Sequence, residues 1–141
     1  MTFSIRPLIP SDYPAAAKIW QQELGPVALE DFVRIQAQMA GIDAYRSFAA
    51  VCGEEVVGLI TTVRVLAVDA GSYLKINGLC VRRDWQRQGV GWALLSYAQA
   101  YAESVGTHRF ILNSGFQRTG AHAFYEKLGF DKRSFCLTKR F

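Results

Sequence analysis

A chain of 141 residues, half of them hydrophobic, has the size of one ordinary domain with a real core. No apolar run approaches the roughly 18 residues of a membrane helix, and no charged head with an apolar signal core opens the sequence, so a soluble, cytoplasmic protein is expected. The net charge of +4 favours an anionic partner, yet the basic residues are scattered apart from Arg82-Arg83 with Arg87 and Lys139-Arg140, which argues for a local anion site over a nucleic-acid track.

From the N-terminus onward, residues 3–8 read as a short strand closed by Pro10, after which Ser11 is placed to cap a helix. In that helix Tyr13, Ala17, Trp20 and Leu24 recur every three or four residues, and Gly25-Pro26 ends it. A second helix over residues 29–39 carries Leu29, Phe32, Val33 and Gln36 along one side. Residues 47–52 and 56–68 are β-rich and separated by Gly53-Glu54-Glu55, the pattern of a hairpin. A turn at residues 69–72 leads to a third strand over 73–81, so three successive strands must be antiparallel neighbours. Residues 90–105 are helical by the spacing of Ala93, Leu94, Tyr97, Ala98 and Tyr101, with Gly106 as a stop. A strand over 109–113, reached through that helix, is expected parallel to the third strand. A last helix capped by Thr119 and closed by Gly129 precedes a final strand over 134–140. These elements predict an α/β fold, a mixed and mainly antiparallel sheet with helices on both faces. Cys52, Cys80 and Cys136 are odd in number and lack metal spacing, so they read as small buried hydrophobes in a reducing compartment.

Chemistry concentrates at Gln86-Arg87-Gln88-Gly89-Val90-Gly91, where a strand gives way to a helix. Glycines there admit backbone conformations that turn several N–H groups toward one point, and the helix adds its unpaired N-terminal N–H groups and a partial positive charge. Arg82, Arg83 and Arg87 are placed to add charge-assisted contacts. The segment is no P-loop, because neither Lys-Ser nor Lys-Thr follows Gly91, and Leu94 breaks the dinucleotide fingerprint. Taken alone it reads equally as a strand-to-helix turn with geometric glycines.

A second segment, Ala121-His122-Ala123-Phe124-Tyr125-Glu126-Lys127-Leu128-Gly129-Phe130, joins the first in a pattern that resembles the GNAT superfamily of N-acetyltransferases, from Ile5-Arg6-Pro7 to the C-terminus. The resemblance implies a single domain over 1–141 whose central strands splay apart at Leu79-Val81 and 111–113. It implies acetyl-CoA as co-substrate, held by main-chain groups of Leu79, Cys80 and Val81 and by Gln86, Arg87, Gln88, Gly89, Val90, Gly91 and Trp92, with no metal. Tyr125 is implied as general acid toward the departing thiolate; without the motif it reads as an aromatic on a packed helix. Arg118 stands where many members carry Asn and is implied in contacting the cofactor phosphates, a solvated arginine being the alternative.

The usual acidic residue on the strand before the phosphate loop is absent, with Asn77-Gly78 in its place. Glu54, Glu55 and His122 are the other groups considered for the base. Trp20, Phe32 and Tyr45 either line an acceptor pocket or belong to the core. The resemblance implies an acceptor amine on a small molecule or a protein, and a possible homodimer, as is common among similar proteins. A non-catalytic acyl-CoA-binding or sensing module is the rival reading, favoured by Asn77 and opposed by Tyr125. No recognisable nucleic-acid-binding module appears.

Overall fold

A computed structural model describes residues 2–69 and 71–141. The chain forms two compact units, one ending at Ile111 and the other beginning at Leu112. The first contains β1 (Ser4–Pro7), α1 (Tyr13–Glu23), α2 (Leu29–Ala40), β2 (Tyr45–Cys52), β3 (Glu55–Ala67), β4 (Gly71–Val81) and α3 (Val90–Ser104). β5 (Phe110–Leu112) straddles the division, and α4 (Thr119–Lys127) lies in the second unit. Among the described residues no helix is long and apolar enough to cross a membrane.

The strands lie in the order β1-β2-β3-β4-β5. The first three pairings are antiparallel, as short turns demand, and Gly53 takes a left-handed φ of +61° at the β2–β3 turn. The turn at residues 69–72 includes Ala70, which lies outside the described residues. β5 joins β4 after the α3 crossover, where the Leu74 N–H donates to the Arg109 carbonyl at 2.8 Å, and the sheet is mixed.

Consecutive residues of a strand face opposite sides, and β2 uses this to receive helices on both. Ala49 and Val51 join Leu59 and Cys80 beneath Tyr13, Ala16, Ala17 and Ile19 of α1 and Phe32 of α2. Phe48 points the other way, its ring 4.9 Å from Tyr97 and 5.7 Å from Tyr101 of α3. Alanines at 16, 17 and 49 leave room for α1 to lie close on the sheet.

Entry to α1 differs from the sequence expectation. Ser11 does not cap it; a single 3₁₀ turn over Pro10–Asp12 leads in, and no side chain caps the helix. The buried Asp12 carboxylate instead takes both Arg6 guanidinium nitrogens, at 2.6 and 2.9 Å, and the Ile9 N–H at 2.9 Å. Those contacts hold the Asp12 carboxyl below its ordinary range, the Arg6 hydrogen bond being the largest cause. A depressed folded-state pKa gives stability that is present above the unfolded value near 3.9 and lost as pH falls through the folded one. Asp12→Asn is therefore expected to cost about 2 kcal/mol at pH 7 and to flatten the acid limb of a melting-temperature profile. An unchanged acid limb would remove Asp12 from that role.

One register detail shapes the site. Thr61 of β3 stands opposite Gly78 while Thr62 stands opposite Ile76, so Asn77 is an extra residue in β4 with no partner across the ladder, a β-bulge.

In the second unit α4 starts after Arg118, so Thr119 is its first helical residue and caps nothing. Gly129, at φ +98°, closes it as expected, its N–H on the Glu126 carbonyl. The strand expected over 134–140 is not formed: Phe135 and Leu137 are exposed, and so is Cys136. A strand exists only in a ladder, and apolar alternation by itself supplies no partner. Of the three thiols only Cys80 is the buried hydrophobe expected of all three, since Cys52 is half-buried.

Candidate functional site

The root of the site is a 3₁₀ turn, Arg83–Trp85, directly after β4. Trp85 is buried with its ring edge-on to Phe3, 6.2 Å between centroids, which fixes where the following loop leaves the core. Gln88 donates from its side-chain amide to the Asp84 carbonyl at 3.1 Å, and Gln86 donates to the Val81 carbonyl at 2.9 Å. Both amides staple the loop to its own root.

Two residues of the loop are left-handed, Arg87 at φ +62° and Gly89 at φ +85°. For a non-glycine such as Arg87 that conformation costs roughly 1 kcal/mol, and turns in which left-handed residues alternate with others can gather backbone N–H groups into a concavity that suits an anion. A Cβ built on Gly89 would meet nothing within 4 Å, so open space lies beside the turn and only φ demands glycine. Gly89 is also the residue before α3, and no side chain caps that helix. The N–H groups of Val90, Gly91 and Trp92 accordingly have no intrahelical acceptor, and the helix dipole adds to them. Trp92 is exposed on this first turn.

The three arginines differ in their partners. The Arg82 guanidinium grips Asp84 at 2.7 and 3.0 Å and reaches Glu55 at 3.5 Å. Arg83 reaches Glu23 at 3.3 Å, while Arg87 is exposed on the loop itself. Of the candidate bases, Glu55 is thus an exposed partner of Arg82, and Glu54 is exposed in the hairpin turn.

Along β4, Leu79 and Val81 are half-buried and Cys80 is buried. Burial, with a smaller contribution from Glu23, pushes the Cys80 thiol up to about 12, which leaves it inert as a nucleophile at neutral pH. Beside the bulge, a Cβ on Gly78 would stand 2.3 Å from two ring carbons of Trp20 and 3.3 Å from Thr61 Oγ1. Trp20 therefore lies against bare backbone at the bulge, its ring 6.0 Å from the Phe32 ring between centroids and edge-on to it. The Thr61 hydroxyl below is buried with no hydrogen-bond partner among the described residues. Gly78→Ala is expected to push Trp20 off the bulge and cost about 1 to 3 kcal/mol, read as a fall in melting temperature. An alanine variant as stable as wild type would show that this contact is loose.

In the second unit, Tyr125 is half-buried on α4, its ring 5.3 Å from Phe124 and 5.3 Å from Phe130, both edge-on. The Phe130 N–H returns to the Tyr125 carbonyl at 3.0 Å, so the segment after Gly129 folds back on this residue. His122 lies three residues earlier on the same helix, half-buried. Arg118 is half-buried and starts the helix, its N–H on the Gly115 carbonyl and its own carbonyl accepting from the His122 N–H. Among the described residues no group of three His, Cys, Asp or Glu could hold a metal ion.

Glu23, Gly78 with Trp20, and the Trp85 anchor are absent from the sequence reading. Only the interruption of a β-rich run by Asn77-Gly78 hinted at any of them.

A mixed sheet with helices on both faces, and a strand–turn–helix with left-handed Arg87 and Gly89 before an uncapped α3 at the end of β4, defines an α/β protein. The model of the Acetyltransferase (GNAT) family matches residues 8–130, and the chain belongs to that family. It is 28% identical to an aminoglycoside N(6')-acetyltransferase type 1 of Stenotrophomonas maltophilia, over 89% of this chain and 87% of that one. In fold it is similar to a structure titled a transcriptional regulator from Bacillus halodurans, with TM-score 0.88, 23% identity and coverage of 99% of this chain and 100% of that one. It is equally similar, at TM-score 0.88, to an aminoglycoside N-acetyltransferase solved in complex with CoA, with 15% identity and coverage of 99% and 95%.

Proposed function

We propose that the chain is an acetyl-CoA-dependent N-acetyltransferase, moving the acetyl group directly from coenzyme A to a primary amine. One observation carries this reading: the uncapped start of α3, preceded by left-handed Arg87 and Gly89 beside open space, suits the diphosphate of coenzyme A. Residues 86–92 would hold the diphosphate, main-chain groups of Leu79, Cys80 and Val81 the pantetheine arm, and Arg118 a further phosphate. Main-chain donors aimed at the thioester oxygen are worth a few kcal/mol in such a transition state. Tyr125 is assigned the proton that the departing thiolate takes up. The family match crosses the division between the two compact units, which supports one catalytic domain.

The curated relative acts on an aminoglycoside, so an aminoglycoside amine is the first acceptor to try. Thiol release from acetyl-CoA, followed with kanamycin and a set of simple primary amines, tests the reading. Release that depends on the amine supports it. A melting-temperature rise with acetyl-CoA but no release with any amine would favour the sensing module, the reading that Asn77 at the bulge supports.

A further inference from the structure

Trp92 is the third residue of α3, on the turn whose backbone amides are read above as the diphosphate seat. It is 57% exposed, a large apolar ring left on the surface. Trp85 is buried and Trp20 partly buried, and each stands edge-on to a phenylalanine. Trp92 alone of the three tryptophans has no aromatic partner among the described residues.

Side chains on a helix lean toward its N-terminus, so the surface that a residue covers lies over the turn before its own Cα. For Trp92 that turn holds left-handed Gly89, with left-handed Arg87 just before it. The indole does not fill the turn: a Cβ on Gly89 would meet nothing within 4 Å, no atom of Trp92 included. A flat ring is thus presented beside an open seat for a diphosphate. Such a face gains by being covered, and another flat ring covers it at little entropic cost.

Coenzyme A carries its base one ribose away from the diphosphate, on the side opposite the pantetheine arm. With the arm assigned to Leu79, Cys80 and Val81 and the diphosphate to residues 86–92, the nucleotide is the end left at the exposed rim of the loop. We propose that Trp92 stacks on the adenine ring of the cofactor, a role that rests on the acetyl-CoA reading above. The contact lies away from the reacting atoms, so it sets affinity and leaves the chemistry alone. It selects an acyl donor that carries a base over an acylated pantetheine fragment, and, since every base has a π-face, it demands a base without demanding adenine in particular.

The test titrates wild type, Trp92→Phe and Trp92→Ala with acetyl-CoA and with adenosine 3′,5′-bisphosphate, following tryptophan emission and melting temperature in parallel. Acetyl-CoA is expected to quench wild-type emission, because a stacked base quenches an indole. Trp92→Phe should lose that quenching and keep its rise in melting temperature. Trp92→Ala is expected to raise the Kd for acetyl-CoA about 10-fold, with an unliganded melting temperature close to wild type because the ring is exposed. The bisphosphate keeps the base and lacks the pantetheine arm, so it should quench wild type as well. Quenching that survives undiminished in Trp92→Phe, or that acetyl-CoA gives and the bisphosphate does not, overturns the stacking and leaves the acetyl-CoA reading standing. So does wild-type binding without quenching, and so does an alanine variant that binds acetyl-CoA as tightly as wild type. A wild type whose melting temperature and emission both ignore acetyl-CoA sinks the cofactor reading and this role with it.

Discussion

Tyr125→Phe is expected to lower kcat by about 10²- to 10⁴-fold while leaving acetyl-CoA binding almost unchanged. The reason lies in relative acidity: a phenol near pKa 10 keeps its proton at neutral pH, whereas a thiol near 8.5 is the better leaving group once hydrogen-bonded. The variant isolates the hydroxyl, because phenylalanine keeps the ring and its edge contacts with Phe124 and Phe130. Stability should therefore move little. Single-turnover thiol release with an accepted amine makes the comparison, and a variant as fast as wild type would remove Tyr125 from the chemistry and leave it a packed aromatic.

Gly89→Glu is expected to abolish the stabilisation that acetyl-CoA confers, about 2.7 kcal/mol at 100 times its Kd. Two effects combine. A side chain at φ +85° is strained, and the new carboxylate would sit in the open space where the diphosphate is proposed to lie. Gly89→Ala separates them, because its Cβ meets no atom within 4 Å and bears the backbone strain alone. That variant should lose roughly 1 kcal/mol of stability and keep a reduced response to acetyl-CoA. A Gly89→Glu protein that still responds like wild type would mean that the cofactor is held elsewhere.

Much of the architecture was legible because its signals are local. The spacing of Tyr13, Ala17 and Trp20 marks α1, and the Gly53-Glu54-Glu55 break marks the β2–β3 hairpin. The phosphate-loop segment falls between β4 and α3, as its glycines suggested, and the left-handed conformation of Gly89 is the kind that only glycine adopts without strain. What escaped depends on pairings across the chain. No residue type announces a bulge, so Asn77 read as a lost carboxylate when it is the extra residue that offsets the register between Thr61 and Thr62. The pairing of Arg82 with Glu55, besides its near neighbour Asp84, is likewise visible only in the fold. Ser11 and Thr119 are good caps by type, yet at the first helix the Arg6–Asp12 pair fixes the entry instead. Glu23 was invisible for the same reason: a glutamate at a helix end looks solvated until Gln86 and Arg83, some sixty residues later, are seen on it. The alternation over 134–140 had the composition of a strand without a ladder to join.

The central claim, that backbone amides around residues 86–92 grip the cofactor diphosphate, is tested most directly by titrating acetyl-CoA into ¹⁵N-labelled protein and following the amide resonances. The amides of Gln88, Gly89, Val90, Gly91 and Trp92 should show the largest shifts and saturate together. Saturation with those five unmoved, and the largest shifts elsewhere, as around His108 and Arg109, would contradict it.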